Sequence, residues 1–84
     1  MYVEIITPDQ KVYTGEATSV QFPGADGLFE VLNNHAAMIA ALGRGDVRIR
    51  PTVGGEERIT IDGGVVEVLN NRVTVLAEAV ITTA

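Results

Sequence analysis

An all-β fold, sandwich or barrel, is predicted by three observations. Apolar and polar residues alternate in short segments, Gly, Pro, Asn and Asp interrupt those segments at short intervals, and one strand-and-turn pentapeptide occurs twice. Glu30-Val31-Leu32-Asn33-Asn34 recurs as Glu67-Val68-Leu69-Asn70-Asn71, and each copy follows an Asp-Gly turn signal, Asp26-Gly27 or Asp62-Gly63. The predicted device is therefore the same in both places: turn, short strand, Asn-Asn turn. The residues after the two copies are unlike, and function is to be sought in that difference. A true internal duplication is not favoured, since stacked repeats need several copies to bury a continuous core.

Val3, Ile5 and Thr7 alternate with Tyr2, Glu4 and Ile6 until Pro8-Asp9. Val12-Tyr13-Thr14 is brief and is expected to end at Gly15. Ala17, Ser19 and Gln21 alternate with Thr18, Val20 and Phe22, and Pro23-Gly24 stops that strand. Val47 and Ile49 alternate with Asp46, Arg48 and Arg50, and Ile59 and Ile61 with Arg58, Thr60 and Asp62. A three-residue loop from Val53 to Gly55 sets Ile49 opposite Ile59 and Val47 opposite Ile61, which keeps one face apolar. A two-residue turn at Gly54-Gly55 mixes polar and apolar side chains on that face. The preferred register places Arg50 opposite Arg58, with Glu56 and Glu57 near in sequence. Val65 to Val68 and Arg72 to Ile81 complete the set.

The segment Asn34 to Gly43 carries two readings. Asn34 can cap a helix, the alanines favour one, and Gly43 can end it. So short a helix is weak without tertiary help, and the surrounding pattern favours a strand. The last strand is apolar on both sides for much of its length. Val73, Val75, Ala77, Ala79 and Ile81 share one face, and Thr74, Leu76, Glu78 and Val80 the other. It is either a central strand buried on both faces or a strand with one face covered by another protein.

With 84 residues, the chain is expected to be one domain spanning 1–84. At 46% hydrophobic residues it can fill a small core. Cysteine is absent, so neither disulfides nor thiolate sites contribute. A net charge of −5 with a single lysine, Lys11, argues against nucleic acid and against a polybasic membrane contact. Arg44, Arg48 and Arg50 are the one local basic cluster. The N-terminus lacks signal-peptide regions, and no apolar run approaches the roughly 18 residues needed to span a bilayer.

Catalytic constellations are not found. His35 is the only histidine and Ser19 the only serine, and Ser19 lacks the glycines of a nucleophile elbow. One histidine with scattered acids does not supply the roughly four ligands of a zinc site. Lys11 follows Gln10, so no phosphate-binding loop exists. Arg44-Gly45-Asp46 spells an adhesion tripeptide, but the plain reading is a turn leading into a strand. No cofactor is expected.

Gly24-Ala25-Asp26-Gly27, Leu32-Asn33-Asn34-His35-Ala36-Ala37-Met38-Ile39 and Leu42-Gly43-Arg44-Gly45-Asp46-Val47-Arg48-Ile49 resemble the epsilon subunit of rotary F-type ATP synthases. A second signature, Gly63-Gly64-Val65-Val66-Glu67-Val68 followed by Asn71 to Glu78, resembles the same family, as does the opening from Glu4 to Ala17. The resemblance is collinear over the whole chain. It departs from the family at Ala37, where proline is usual, and at Phe29-Glu30, where a Gly-Ile type of pair is common. The sequence also stops at Ala84, before the C-terminal helical hairpin of many relatives. Neither the inhibition nor the nucleotide site associated with that hairpin is therefore expected.

The resemblance implies a flattened β-sandwich of two mostly antiparallel sheets with jelly-roll-like connections. It implies a non-catalytic central-stalk subunit that couples the gamma subunit to the c ring in proton-driven ATP synthesis. Such a subunit lies at the cytoplasmic face of the bacterial inner membrane without entering it. Asp26, Gly27, Leu28, Phe29 and Glu30 fall at the ring-facing turn, with Leu28 at a position that is often acidic in relatives. His35, Ala36, Ala37, Met38 and Ile39 fall in the gamma-facing segment, which the resemblance tilts towards an extended form. The alternative reading is a small β-sandwich that binds a ligand or carbohydrate, for which the only aromatics are Tyr2, Tyr13, Phe22 and Phe29.

Overall fold

Alternating side chains and frequent turn residues produce strands throughout the computed structural model, which describes residues 1–81. The strands are β1 (Tyr2–Ile6), β2 (Lys11–Gly24), β3 (Gly27–Leu32), β4 (Met38–Pro51), β5 (Glu57–Leu69), β6 (Arg72–Ala77) and β7 (Val80–Ile81). No helix occurs among the described residues. The all-β expectation holds, but the connectivity is one sheet and not two. Its order is β1-β6-β5-β4-β2-β3, β7 pairs with β5, and pairing of β1 with β2 closes the ring. All pairs are antiparallel except β1 with β6.

Three long strands explain the single sheet. Each continues through a break that the sequence marks as an end. The first part of β2 pairs with β1, and the later part pairs with β3 and β4. A bulge at Thr18, where Ala17 faces Pro51 and Ser19 faces Arg50, shifts the inward phase of β2. Ala17 is buried before it, and Ser19, Val20 and Phe22 after it, so that the adjacent Ser19 and Val20 are both buried. In β5, Asp62-Gly63 is not a turn. Gly63 (φ 80°) and Gly64 (φ 145°) bend a continuous strand, so that β7 pairs before the bend and β6 after it. The expected single strand from Arg72 to Ile81 accordingly breaks at Glu78-Ala79. There Glu78 N donates to Gly63 O and Asp62 N donates to Ala79 O.

The core lies inside the closed sheet. Val3, Ile5, Val66, Val68, Val73 and Val75 come from one half, and Val20, Phe22, Val31, Val47, Ile49 and Ile61 from the other. Phe22 packs on Phe29 with ring centroids 5.4 Å apart. The β4–β5 hairpin is wider than expected. Val47 faces Ile59 and Ile49 faces Glu57, which leaves Thr52 to Glu56 as the loop. A shift of two residues keeps the same side chains inward, so side-chain alternation could not distinguish the registers. The arginine opposite Arg58 is Arg48, not Arg50. Glu56 lies between them, 3.2 Å from Arg48 and 3.7 Å from Arg58.

Met38–Leu42 is extended and pairs with Gly64–Val68, so the helical option for Asn34 to Gly43 is not realised. Backbone hydrogen bonds to β5 outweigh the helix preference of the alanines. Asn34 has φ 63°, the left-handed region, and not the extended backbone of a helix cap.

Candidate functional site

The two residue sets expected to bind partners come together at one end of the sheet. Ala25 and Asp26 form the two-residue turn between β2 and β3, with Gly24 paired to Gly27. Leu28 projects outward at 70% exposure, and Glu30 is exposed opposite Gln21. Phe29 differs from the expectation, since it turns inward onto Phe22. In the second set, His35, Ala36 and Ala37 are exposed and Ile39 is 71% exposed, whereas Met38 packs against the core. The sets adjoin because Ala25 N donates to Ala41 O at 3.0 Å. A groove between them is lined by residues that include Asp26, Gly27, Met38 and Ile39.

The two halves of the sheet present unlike outer surfaces. On the first half, Ala41 faces Val65, Val65 faces Leu76, and Leu76 faces Ile6. This apolar row crosses four strands, about 15 Å at the usual strand spacing. Leu76 is 52% exposed, and Ile39 extends the row towards the groove. Apolar clefts lie at both ends, one beside Ile6, Pro8 and Leu76 and the other beside Ala37, Ile39 and Leu69. Of these residues, only Ala37 and Ile39 belong to the sets named from sequence. The available signal was the two-sided apolar pattern of Val73 to Ala77, and the structure leaves one of those faces exposed at Leu76, so the strand is not buried on both. On the second half, Glu30, Gln21, Arg48 and Arg58 stand in register, with Asp46 3.7 Å from Arg58. That row is polar and internally neutralised, with exposed Leu28 and Leu32 on either side of Glu30.

His35 is exposed, with Nδ1 2.8 Å from Ala36 O, while Ser19 is buried in β2. No group of acids and histidine able to hold a metal occurs among the described residues. A shallow groove beside Tyr13, Glu57 and Val80 raises the Tyr13 phenol above its ordinary pKa of 10.0, first by burial and then by the charge of Glu57. A raised phenol contributes stability that is complete below pH 10 and is lost as pH rises through the folded pKa. Phenolate absorbance during an alkaline titration should show one component ionising late. That component should vanish in Tyr13→Phe, and its persistence there would assign it elsewhere.

Comparison with known proteins agrees with this geometry. Residues 1–83 match the family described as the beta-sandwich domain of the ATP synthase Delta/Epsilon chain. An ATP synthase epsilon chain of Chlorobium limicola is 41% identical over 93% of this chain and 89% of its own length. One of Salinibacter ruber is 43% identical over 93% of this chain, which spans only 58% of that relative. Among solved structures, a chain of the Euglena gracilis mitochondrial ATP synthase OSCP/F1/c-ring assembly has a TM-score of 0.84 at 16% identity. It is matched over 94% of this chain and 51% of its own. A chain of the Tetrahymena thermophila mitochondrial ATP synthase central stalk and c-ring has 0.77 at 19%, over 95% of this chain and 64% of its own. At those identities the two structures establish likeness of fold alone.

Proposed function

We propose that this chain, which belongs to the ATP synthase delta/epsilon chain family through its beta-sandwich domain, is a non-catalytic rotor subunit that joins the gamma subunit to the c ring. The closed sheet is the family's sandwich, with the two halves as its layers and β2, β4 and β5 crossing between them in jelly-roll fashion. One observation carries the reading: an apolar row across four strands that runs into the groove beside the Ala25-Asp26 turn. A continuous apolar row left in water on one half, where the other half carries a charged row, is what a protein partner covers. Gamma covers the row together with His35, Ala36, Ala37 and Ile39, while Met38 supports them from beneath. The ring's polar loops meet Asp26, Gly27, Leu28 and Glu30, with Phe29 anchoring the turn.

The task is mechanical. A closed sheet bends only by breaking backbone hydrogen bonds along several strands, so torque passes through it with little loss to deformation. The subunit lies peripherally at the cytoplasmic face of the bacterial inner membrane. Carbohydrate binding is disfavoured because Phe22 and Phe29 pack on each other and the Arg72 guanidinium lies 4.9 Å above the Tyr2 ring. Little aromatic surface is left for sugar stacking. Affinity purification of the chain from cells of its source should recover gamma and c subunits. Recovery of neither would overturn the assignment.

A further inference from the structure

The two copies of the repeated pentapeptide meet in space. Asn34, the fifth residue of the first copy, donates its backbone N–H to Oδ1 of Asn71, the fifth residue of the second, at 2.8 Å. The copies close different turns. Asn70 (φ 50°) and Asn71 (φ 60°) form a two-residue hairpin between Leu69 and Arg72, whereas Asn34 alone is left-handed in a turn closed by His35 N donating to Leu32 O. Beyond that turn, His35 to Ala37 join no strand ladder until Met38. Among the described residues, the start of this segment is thus held by the Asn71 side chain and the His35 N–Leu32 O bond, beside the Met1 ammonium's contact with Asn33 Oδ1.

The identity of residue 71 adds an independent argument. At the second position of such a hairpin, glycine accepts positive φ more easily than asparagine, and Asn-Gly is the preferred pair. Asparagine here supplies a side-chain acceptor that glycine lacks. We infer that Asn71 is a positioning residue for partner binding: its Oδ1 fixes the Asn34–Ala37 segment in the conformation that the partner meets. The inference rests on the proposed gamma contact of that segment. It gives the repeat a physical role, since the second copy braces the first.

Asn71→Gly and Asn71→Asp separate the possibilities. Glycine keeps the hairpin and removes the acceptor, while aspartate keeps both. Hydrogen exchange in the isolated chain should be several-fold faster at the Asn34 amide in Asn71→Gly and unchanged in Asn71→Asp, with the unfolding midpoint preserved in each. Affinity for the isolated gamma subunit should fall roughly fivefold in Asn71→Gly, the value of one ordinary hydrogen bond, and recover in Asn71→Asp. Unchanged exchange at Asn34 overturns the tether itself. Faster exchange with unchanged affinity overturns its role in positioning. A wild-type chain that does not bind gamma overturns the functional reading and this inference with it, whatever the exchange rates.

Discussion

Replacing Gly64 by alanine lowers stability by about 3 kcal/mol, the largest loss expected from adding one methyl group to this fold. Two independent costs combine. Gly64 has φ 145°, where a side chain is strained, and its added Cβ would lie 2.4 Å from the carbonyl oxygen of Leu76 and 2.9 Å from Cα of Ala77. Both obstacles are backbone atoms of the neighbouring strand, so no rotamer change relieves them. The position also directs β5 from its pairing with β7 to its pairing with β6, so relaxation disturbs two ladders at once. For a domain of this size the thermal midpoint should fall by about 15 °C. Gly55→Ala is the control, because nothing lies within 4 Å of a Cβ there. Denaturant unfolding that finds the two variants equally stable would contradict this account of the bend.

Ile39→Lys abolishes tight binding to gamma while leaving the fold intact. Ile39 is 71% exposed, and its cross-strand neighbour is Glu67, so a lysine there gains an opposite charge and loses little packing. At a covered interface the outcome reverses. Burial of an isoleucine side chain is worth about 2 kcal/mol, and an ammonium drawn into apolar surroundings costs further desolvation energy. The combined loss is expected to lower affinity by about 100-fold or more. Val53→Lys makes the same charge change in the loop Thr52 to Glu56, at a residue 87% exposed, and should bind as the parent does. Titration calorimetry that gives equal affinities for the two variants would remove Ile39 from the interface.

The strand pattern was legible because the core-facing residues alternate, as Val3 and Ile5, Val47 and Ile49, and Val73 and Val75 do. Continuity was not. Gly15 and Asp62-Gly63 carry the local chemistry of breaks, yet strands run through them because neighbours on the sheet supply backbone hydrogen bonds that local sequence does not reveal. The β4–β5 register escaped for a related reason, since shifts by two residues leave every side chain on its own face. Of the candidate site, the Asp26 to Glu30 turn and the His35 to Ile39 segment are expected from family resemblance, and the structure sets them side by side. The inward turn of Phe29 could not be read from sequence, nor could the row of Ile6, Leu76, Val65 and Ala41. Those four lie far apart in the chain, and only the pairing of β4, β5, β6 and β1 brings them together.

The central claim is that the apolar row and the Ala25-Asp26 turn dock, and that the charged surface of Arg48, Glu56 and Arg58 does not. It is tested most directly by hydrogen exchange of the chain alone and in complex with gamma and the c ring. Slowed exchange is predicted at Gly27 and Leu28, through Ala36 to Ala41, and at Val65 and Leu76, with no change around Arg48, Glu56 and Arg58. Slowed exchange confined to the charged residues, with the apolar row unaffected, would contradict it.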